Sequence, residues 1–73
     1  ALIRALDLRA SGAWAEAARF LAPLAADGDR LALRLLAIDA EHRLRDLALA
    51  LEYARALGDD RRVERVSRKL GLT

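Results

Sequence analysis

The sequence predicts an all-α protein built as an array of antiparallel helical hairpins. Ala and Leu together contribute 33 of the 73 residues, and both are good helix formers. Val and Ile, which favour strands, number only two each. Two stretches also align 33 residues apart, which places Trp14 on Leu47 and Ala17 on Ala50. A period near 33 to 34 residues is typical of stacked helical hairpins that bury their faces against one another.

The first predicted helix covers residues 2–10, and the Ser11-Gly12 pair that follows ends it. Glycine is the residue that most readily adopts the left-handed conformation just past a helix end. An apolar stripe runs along this helix through Leu2, Ile3, Leu6 and Ala10.

The second predicted helix covers residues 13–26 and contains Pro23. Proline removes one backbone donor and crowds the carbonyl of Arg19, so a kink rather than a break is expected. Gly28 stops this helix, and Asp29 is a suitable N-cap for the next one. The side chains expected to face inward are Trp14, Ala17, Ala18, Leu21, Leu24 and Ala25.

The third predicted helix, residues 30–43, is apolar nearly all round and is therefore expected to lie at the centre. Asp46 is expected to cap the fourth helix, residues 47–57, and Gly58 to end it. Either Asp59 or Asp60 then caps the fifth helix, residues 61–70. Its apolar positions are Val63, Val66 and Leu70, and Gly71 ends it.

These elements form one helical-repeat domain over residues 1–73, with right-handed superhelical stacking. Hairpin 1 covers about residues 2–26, hairpin 2 about residues 30–57, and a capping helix about residues 61–70. Ala17 and Ala50 are expected at close helix crossings, where a larger side chain would separate the axes. Because the sequence begins without Met inside a helical pattern, we expect it to be a fragment of a longer protein.

The repeat resembles the tetratricopeptide repeat. The likeness lies in the second helix of each unit, where a large apolar residue, a small Ala and an aromatic follow in order. These are Trp14, Ala17 and Phe20 in the first unit. The first helices lack the family's Trp, Gly and Tyr, and no Pro closes either unit. The resemblance implies a binding module rather than an enzyme.

The second half also resembles the C-terminal region of predicted bacterial ribonuclease H-like exonucleases. Three segments in order carry this likeness: residues 41–46, 50–54 and 63–70. In that family a metal-dependent nuclease domain precedes a helical-repeat region. The resemblance implies that this chain is the accessory part, with the catalytic acids in the other domain.

Composition excludes several classes of function. The formal net charge is only +2, so the chain as a whole is not a polycation. There is no cysteine for a disulfide or a thiolate nucleophile. No apolar run approaches 18 residues, and no signal-peptide pattern is present. We therefore expect a cytoplasmic, bacterial protein without membrane contact, cofactor or evident small-molecule substrate.

The residues that could carry chemistry have structural explanations. His42 lies near Asp39, Glu41 and Asp46, a combination that can hold a metal. A capping role for Asp46 and a helix C-terminal position for His42 explain the pattern better. Ser11 is interpreted as a turn residue and Ser67 as part of the solvent face. We therefore predict no catalytic, cofactor-binding or metal-binding residue, and no enzymatic activity.

The basic C-terminal helix offers an alternative function. Five cations stand there against the single acid Glu64, whereas residues 1–40 hold five Arg and five acids. Arg61, Arg65 and Arg68 share one helix face, which can follow phosphates. The candidate nucleic-acid contacts are Arg61, Arg62, Arg65, Arg68 and Lys69. A solvated cap helix explains the same charges, and an interaction module with a protein or adjoining domain as partner remains the main expectation.

The three aromatic residues are Trp14, Phe20 and Tyr53. They could stack on bases. Trp14 and Phe20 lie on different sides of the second helix, however, so they do not form one platform. Core packing or partial exposure is the preferred interpretation.

Overall fold

Five α-helices follow one another along the chain, in a computed structural model that describes residues 2–72. They are α1 (Leu2–Ala10), α2 (Trp14–Ala26), α3 (Arg30–His42), α4 (Leu47–Leu57) and α5 (Asp60–Leu70). This part of the chain contains no strand, so the all-α prediction is confirmed. Every predicted helix end agrees to within one residue. None of the helices described is long and apolar enough to cross a membrane.

Aspartate side chains begin three of the helices. Each accepts a hydrogen bond from the backbone N–H three residues later, which supplies a partner for one of the amides left unpaired at a helix start. The pairs are Asp29 with Ala32 at 2.9 Å, Asp46 with Leu49 at 3.1 Å and Asp59 with Arg62 at 3.1 Å. The predicted caps are thereby confirmed, and Asp59 rather than Asp60 caps α5.

Gly58 and Gly71 end α4 and α5 in the left-handed conformation, with φ of 72° and 77°. A β-carbon would strain the backbone at such a φ, so these ends depend on glycine. In α2, by contrast, Pro23 lies inside a helix that continues to Ala26, so the proline does not break it. The kink predicted there stays a prediction.

Small residues dominate the interior. Of the twelve buried apolar residues in the part described, seven are Ala, including Ala17 and Ala50, which are both fully buried. Consecutive helices pack on one another, α1 on α2, α2 on α3, α3 on α4 and α4 on α5. Ala17 and Ala50 are thus buried, and the close helix crossings expected at them stay a prediction. Six residues of α3 are buried, more than in any other helix described, in agreement with the central position predicted for it.

Of the apolar stripe predicted on the first helix, Leu2 packs against the core, but Ile3, Leu6 and Ala10 are exposed. The residues that α1 buries are Ala5 and Leu8, while Ile3 is 77% exposed and Leu6 is 41% exposed. The error has a physical cause. Neighbouring helices cover only one side of a terminal helix. On α1, the side that faces α2 and α3 carries Ala5, which is smaller than Ile3 or Leu6.

The prediction for Ser67 was also wrong. Ser67 is buried beside Val66 rather than exposed on the solvent face. Leu70, expected inside, is 37% exposed. Val66 is fully buried and Val63 packs against the same cluster, as expected. The buried face of α5 is therefore rotated toward Ser67 and contains fewer large apolar side chains than the sequence suggested.

Candidate functional site

A buried carboxylate joins α1 to α3. Asp39 is only 2% exposed and accepts two hydrogen bonds from the guanidinium of Arg9, at 2.6 Å from Nε and 2.8 Å from Nη2. This bidentate geometry is the strongest form of an Arg–carboxylate contact. The hydrogen bond to Asp39 raises the pKa of Arg9, although partial burial opposes the shift. The first helices of the two hairpins are thereby held side by side.

Trp14 lies over the same joint. The guanidinium carbon of Arg9 is 5.6 Å from the centre of its ring, and that of Arg43 is 4.7 Å away. Both distances are within the range of cation–π attraction. Trp14 is half-buried. It therefore packs against cations at the base of hairpin 1 and does not form a free surface for a ligand.

A second buried carboxylate joins α3 to α5. The Glu41 side chain accepts hydrogen bonds from Arg62 at 2.7 Å, from Arg65 at 2.7 Å through two nitrogens, and from Lys69 at 2.9 Å. The hydrogen bonds from Arg65, and then those from Lys69 and Arg62, hold the pKa of Glu41 far below its usual range, although burial acts in the opposite direction. Asp59 also pairs with Arg62, at 3.3 Å, so the three cations and two carboxylates leave a local net charge of +1.

The five basic residues proposed for nucleic-acid contact thus fall into two sets. Arg62, Arg65 and Lys69 turn toward Glu41. Arg68 and Glu64 form an exposed ion pair one helical turn apart. Arg61 is exposed and forms no ion pair within residues 2–72. Of these five residues, Arg61 and Arg68 are therefore the two whose side chains do not bind the buried Glu41.

The residues considered for a metal site do not converge. Asp39 faces Arg9 and Glu41 faces α5, so two carboxylates of one helix point to different neighbours. His42 is exposed, and its Nε2 is 3.5 Å from Glu41, in an open cleft that Lys69 also lines. Among residues 2–72, no group of three or more potential metal ligands is found.

The role of Glu41 was missing from the sequence-based analysis. A signal for it was present, because Asp39 and Glu41 are the only acids in an otherwise apolar and basic α3. The cations Arg62, Arg65 and Lys69 also follow at i, i+3 and i+7 on one face of α5. Ser11 does act in a turn, as predicted, since its hydroxyl donates to the carbonyl of Leu8 at 3.0 Å.

The first helices of the two hairpins, α1 and α3, and the capping helix α5 can be aligned by their ends and contacts. α1 ends at Ala10 and α3 at His42, an offset of 32 residues. With this offset, Arg9 aligns with Glu41. Arg9 forms an ion pair with α3, and Glu41 forms ion pairs with α5. The N-caps Asp29 and Asp59 give an offset of 30 between α3 and α5. Under these offsets, Leu35 and Ile38 of α3 align with Ile3 and Leu6 of α1 and with Arg65 and Arg68 of α5.

This alignment relates positions on three helices, which together we name the first-helix face. On α3, Leu35 packs against the core cluster that contains Leu21, and Leu31 lines an open cleft with Leu57. The eight residues of the face are Ile3 and Leu6 on α1, Leu31, Leu35 and Ile38 on α3, and Arg61, Arg65 and Arg68 on α5. All eight are exposed or half-buried. The named residues are apolar on α1 and α3 and basic on α5, and the exposed Arg34 and Glu64 lie within the same stripes of α3 and α5.

The aromatic residues lie elsewhere. Trp14 and Phe20 belong to α2 and Tyr53 to α4, which are the second helices of the two hairpins. Tyr53 packs against both core clusters, and burial raises its pKa. Phe20 is 41% exposed, the same fraction as Leu6, but lies outside the first-helix face.

Comparisons with known proteins identified no related family. A scan against family models, a search of curated proteins and a search of solved structures found no significant match to the chain.

Proposed function

We propose that this chain is a noncatalytic protein-interaction module, and that the first-helix face is its binding surface. The array would be tetratricopeptide-like, with right-handed superhelical stacking, and would serve as an accessory part of a larger protein. The observation that carries the proposal is the exposure of large apolar side chains on this face. Ile3, Leu31 and Leu6 are 77%, 47% and 41% exposed.

The distribution of acids supports the same proposal. Acid–base or metal chemistry needs carboxylates that are free to face a substrate. Asp39 and Glu41 are instead bound within the protein, by one cation and by three. Asp29, Asp46 and Asp59 are occupied as helix caps. Contiguous exposed apolar residues, by contrast, commonly mark contact surfaces for other proteins.

The test is a selection from a random peptide library displayed on phage, followed by binding measurements with purified chain. We expect selected peptides to bind the parent chain and to lose binding at least about tenfold with Leu6→Asp. Phe20→Asp is the matched control, because both side chains are 41% exposed, and it should bind normally. Circular dichroism confirms that both variants remain helical.

Two outcomes would contradict this proposal. One is a selection that yields no peptide binding the parent chain. The other is equal loss of binding with Leu6→Asp and Phe20→Asp, which would show that the first-helix face has no special part in binding.

A further inference from the structure

An open cleft lies where α5 meets the turn between α3 and α4. Its volume is about 420 Å³, which is within the range of small-molecule sites. None of its lining residues belongs to the first-helix face; they are Glu41, His42, Arg45, Leu47 and Lys69. Exposed nitrogen-bearing side chains thus reach the cleft from the end of α3, from the turn and from α5.

The acid in the lining is already paired. Both oxygens of Glu41 accept hydrogen bonds from cations of α5. Lys69 donates one of these bonds, at 2.9 Å, and an ammonium group has further protons to donate. Because the Lys69 side chain is exposed, those remaining donors are accessible to a ligand in the cleft.

The charges around the cleft leave an excess of cations. The lining residues, their ion-pair partners and the neighbouring Asp46 comprise four cations and three carboxylates, a net charge of +1 with His42 neutral. The cations are Arg45, Arg62, Arg65 and Lys69, and the carboxylates are Glu41, Asp46 and Asp59. The exposed pair of Glu64 and Arg68 adds no net charge.

The carboxylates and Arg45 differ in how they are bound. Each of the three carboxylates accepts at least one hydrogen bond within the protein. Arg45, by contrast, has no ion-pair partner within residues 2–72. Its guanidinium is therefore available to an anion in the cleft.

Arg45 also has an unusual backbone conformation. Its φ of 55° lies in the left-handed region, and the other residues of positive φ in the part described are all glycines. Glycine would adopt this φ without the strain that a β-carbon brings. Residues held in such conformations occur preferentially at functional sites, ligand-binding sites among them. The turn alone therefore does not explain why an arginine is present here.

We propose that this cleft binds the phosphate group of a small phosphomonoester. Such a group carries a charge of about −1.5 to −2 at neutral pH and has three acceptor oxygens. His42, Arg45 and Lys69 would donate to these oxygens from three different elements. The organic part of the ligand would lie against Leu47, the one apolar residue of the lining.

Donors on three elements favour a phosphomonoester over other anions. A carboxylate has its two oxygens in one plane and is matched by a single arginine fork. A phosphodiester of a nucleic acid has a single charge and fewer free oxygens. The lining also contains no aromatic side chain on which a base could stack.

A ligand in the cleft would join α5 to the turn. Lys69 is on α5, whereas Arg45 precedes α4, so a phosphate bound to both adds a contact between these elements. The unfolded chain does not bring the two side chains together. The ligand should therefore raise the melting temperature of the chain.

The experiment uses a single reporter, because His42 is the only histidine of the chain. Its ring-proton resonances are followed by NMR at constant pH and ionic strength while one anion is added. The anions are phenyl phosphate, inorganic phosphate, benzoate and dimethyl phosphate. We expect phenyl phosphate to shift the resonances saturably, with a Kd on the order of 1 mM. Benzoate and dimethyl phosphate should bind at least about tenfold more weakly.

Arg45→Gly separates binding from folding. Glycine suits the positive φ, so this variant should melt at the temperature of the parent chain or above it. Its Kd for phenyl phosphate should nevertheless rise about tenfold. The matched control is Arg19→Ala, which removes the same charge from an exposed position on α2. This control should change the Kd less than about twofold.

Several outcomes would overturn the proposal. If no anion shifts the His42 resonances, or if Arg45→Gly and Arg19→Ala weaken binding equally, the cleft is not a site. Equal binding of benzoate would show that the site is not selective for phosphate. If dimethyl phosphate or a short single-stranded RNA binds as tightly as phenyl phosphate, a nucleic acid is the better ligand. A lower melting temperature of Arg45→Gly with unchanged binding would show that the arginine acts only in the turn.

The proposed interaction module is tested separately. Leu6 and Phe20, whose variants test that module, do not line the cleft. Leu6→Asp should therefore leave phenyl phosphate binding unchanged, and Arg45→Gly should leave peptide binding unchanged. Failure of one proposal is thus distinguishable from failure of the other.

Discussion

The two joints between first helices use the same chemistry in different proportions. Between α1 and α3, one buried carboxylate, Asp39, meets one cation, Arg9. Between α3 and α5, one buried carboxylate, Glu41, meets three cations. The first joint depends on a single pair, whereas the second can lose a member and keep its carboxylate paired.

The difference shows how each end of the array is attached. α1 adds apolar contacts to its ion pair, since Ala5 belongs to the core cluster with Leu21 and Leu36. α5 likewise adds Val66 and Val63 to the second core cluster, so the two ends differ chiefly in the number of cations on the buried carboxylate. Three experiments can break or sharpen this comparison.

The largest effect is expected at the single pair. Arg9→Met removes the only cation bound to Asp39 and leaves a carboxylate that is 2% exposed without a partner. We expect a loss of about 3–5 kcal/mol in the free energy of unfolding, measured by urea denaturation. Arg9→Met with Asp39→Leu should recover most of the loss, because the buried charge is also gone. A double variant as unstable as the single one would mean that the ion pair itself is not the cause.

The next effect should come from protonating Glu41. The pKa of Glu41 is lowered in the folded protein and lies near 4.3 in an unfolded chain. Its contribution to stability is therefore complete above about pH 5 and is lost progressively as the pH falls below that value. We expect the stability difference between the parent and Glu41→Gln to be largest at pH 7 and to shrink between pH 5 and pH 2. A difference that does not depend on pH would show that the charge of Glu41 does not hold α5.

The smallest effect is expected when one of the three cations is removed. Lys69→Met leaves Arg62 and Arg65 bound to Glu41, and the lysine side chain is itself 42% exposed. The expected cost is about 0–1 kcal/mol by urea denaturation. Arg19→Met, at an exposed position on α2, serves as the control and should change stability by less than about 0.5 kcal/mol. If Lys69→Met costs as much as Arg9→Met, the three cations do not substitute for one another.

Much of the fold could be predicted from local chemistry. Helix starts were readable because Asp29, Asp46 and Asp59 cap through contacts only three residues away. Helix ends were readable because Gly58 and Gly71 are needed for a left-handed backbone. The 33-residue spacing of Ala17 and Ala50 correctly indicated two buried positions. These signals act within a few residues or repeat along the chain, so a single sequence contains them.

The site could be predicted less well, because its contacts cross between helices. Glu41 is 21 to 28 residues from the cations that bind it. The Arg61, Arg65 and Arg68 stripe was recognised from helical spacing, but that spacing could not show that Arg65 is held by Glu41. The buried side of α1 was also misjudged, since Ile3 and Ala5 compete for the interior and the position of the neighbouring helices decides between them.

The order of packing along the chain has a consequence for how the protein folds. The principal helix contacts join only consecutive elements, from α1 on α2 to α4 on α5. No helix must therefore wait for a distant part of the chain before it can bury apolar surface. Proteins with such local contacts lose little loop entropy on reaching the transition state, and they fold within microseconds to milliseconds. Assembly could start at any hairpin and spread to its neighbours, as in other quasi-one-dimensional arrays.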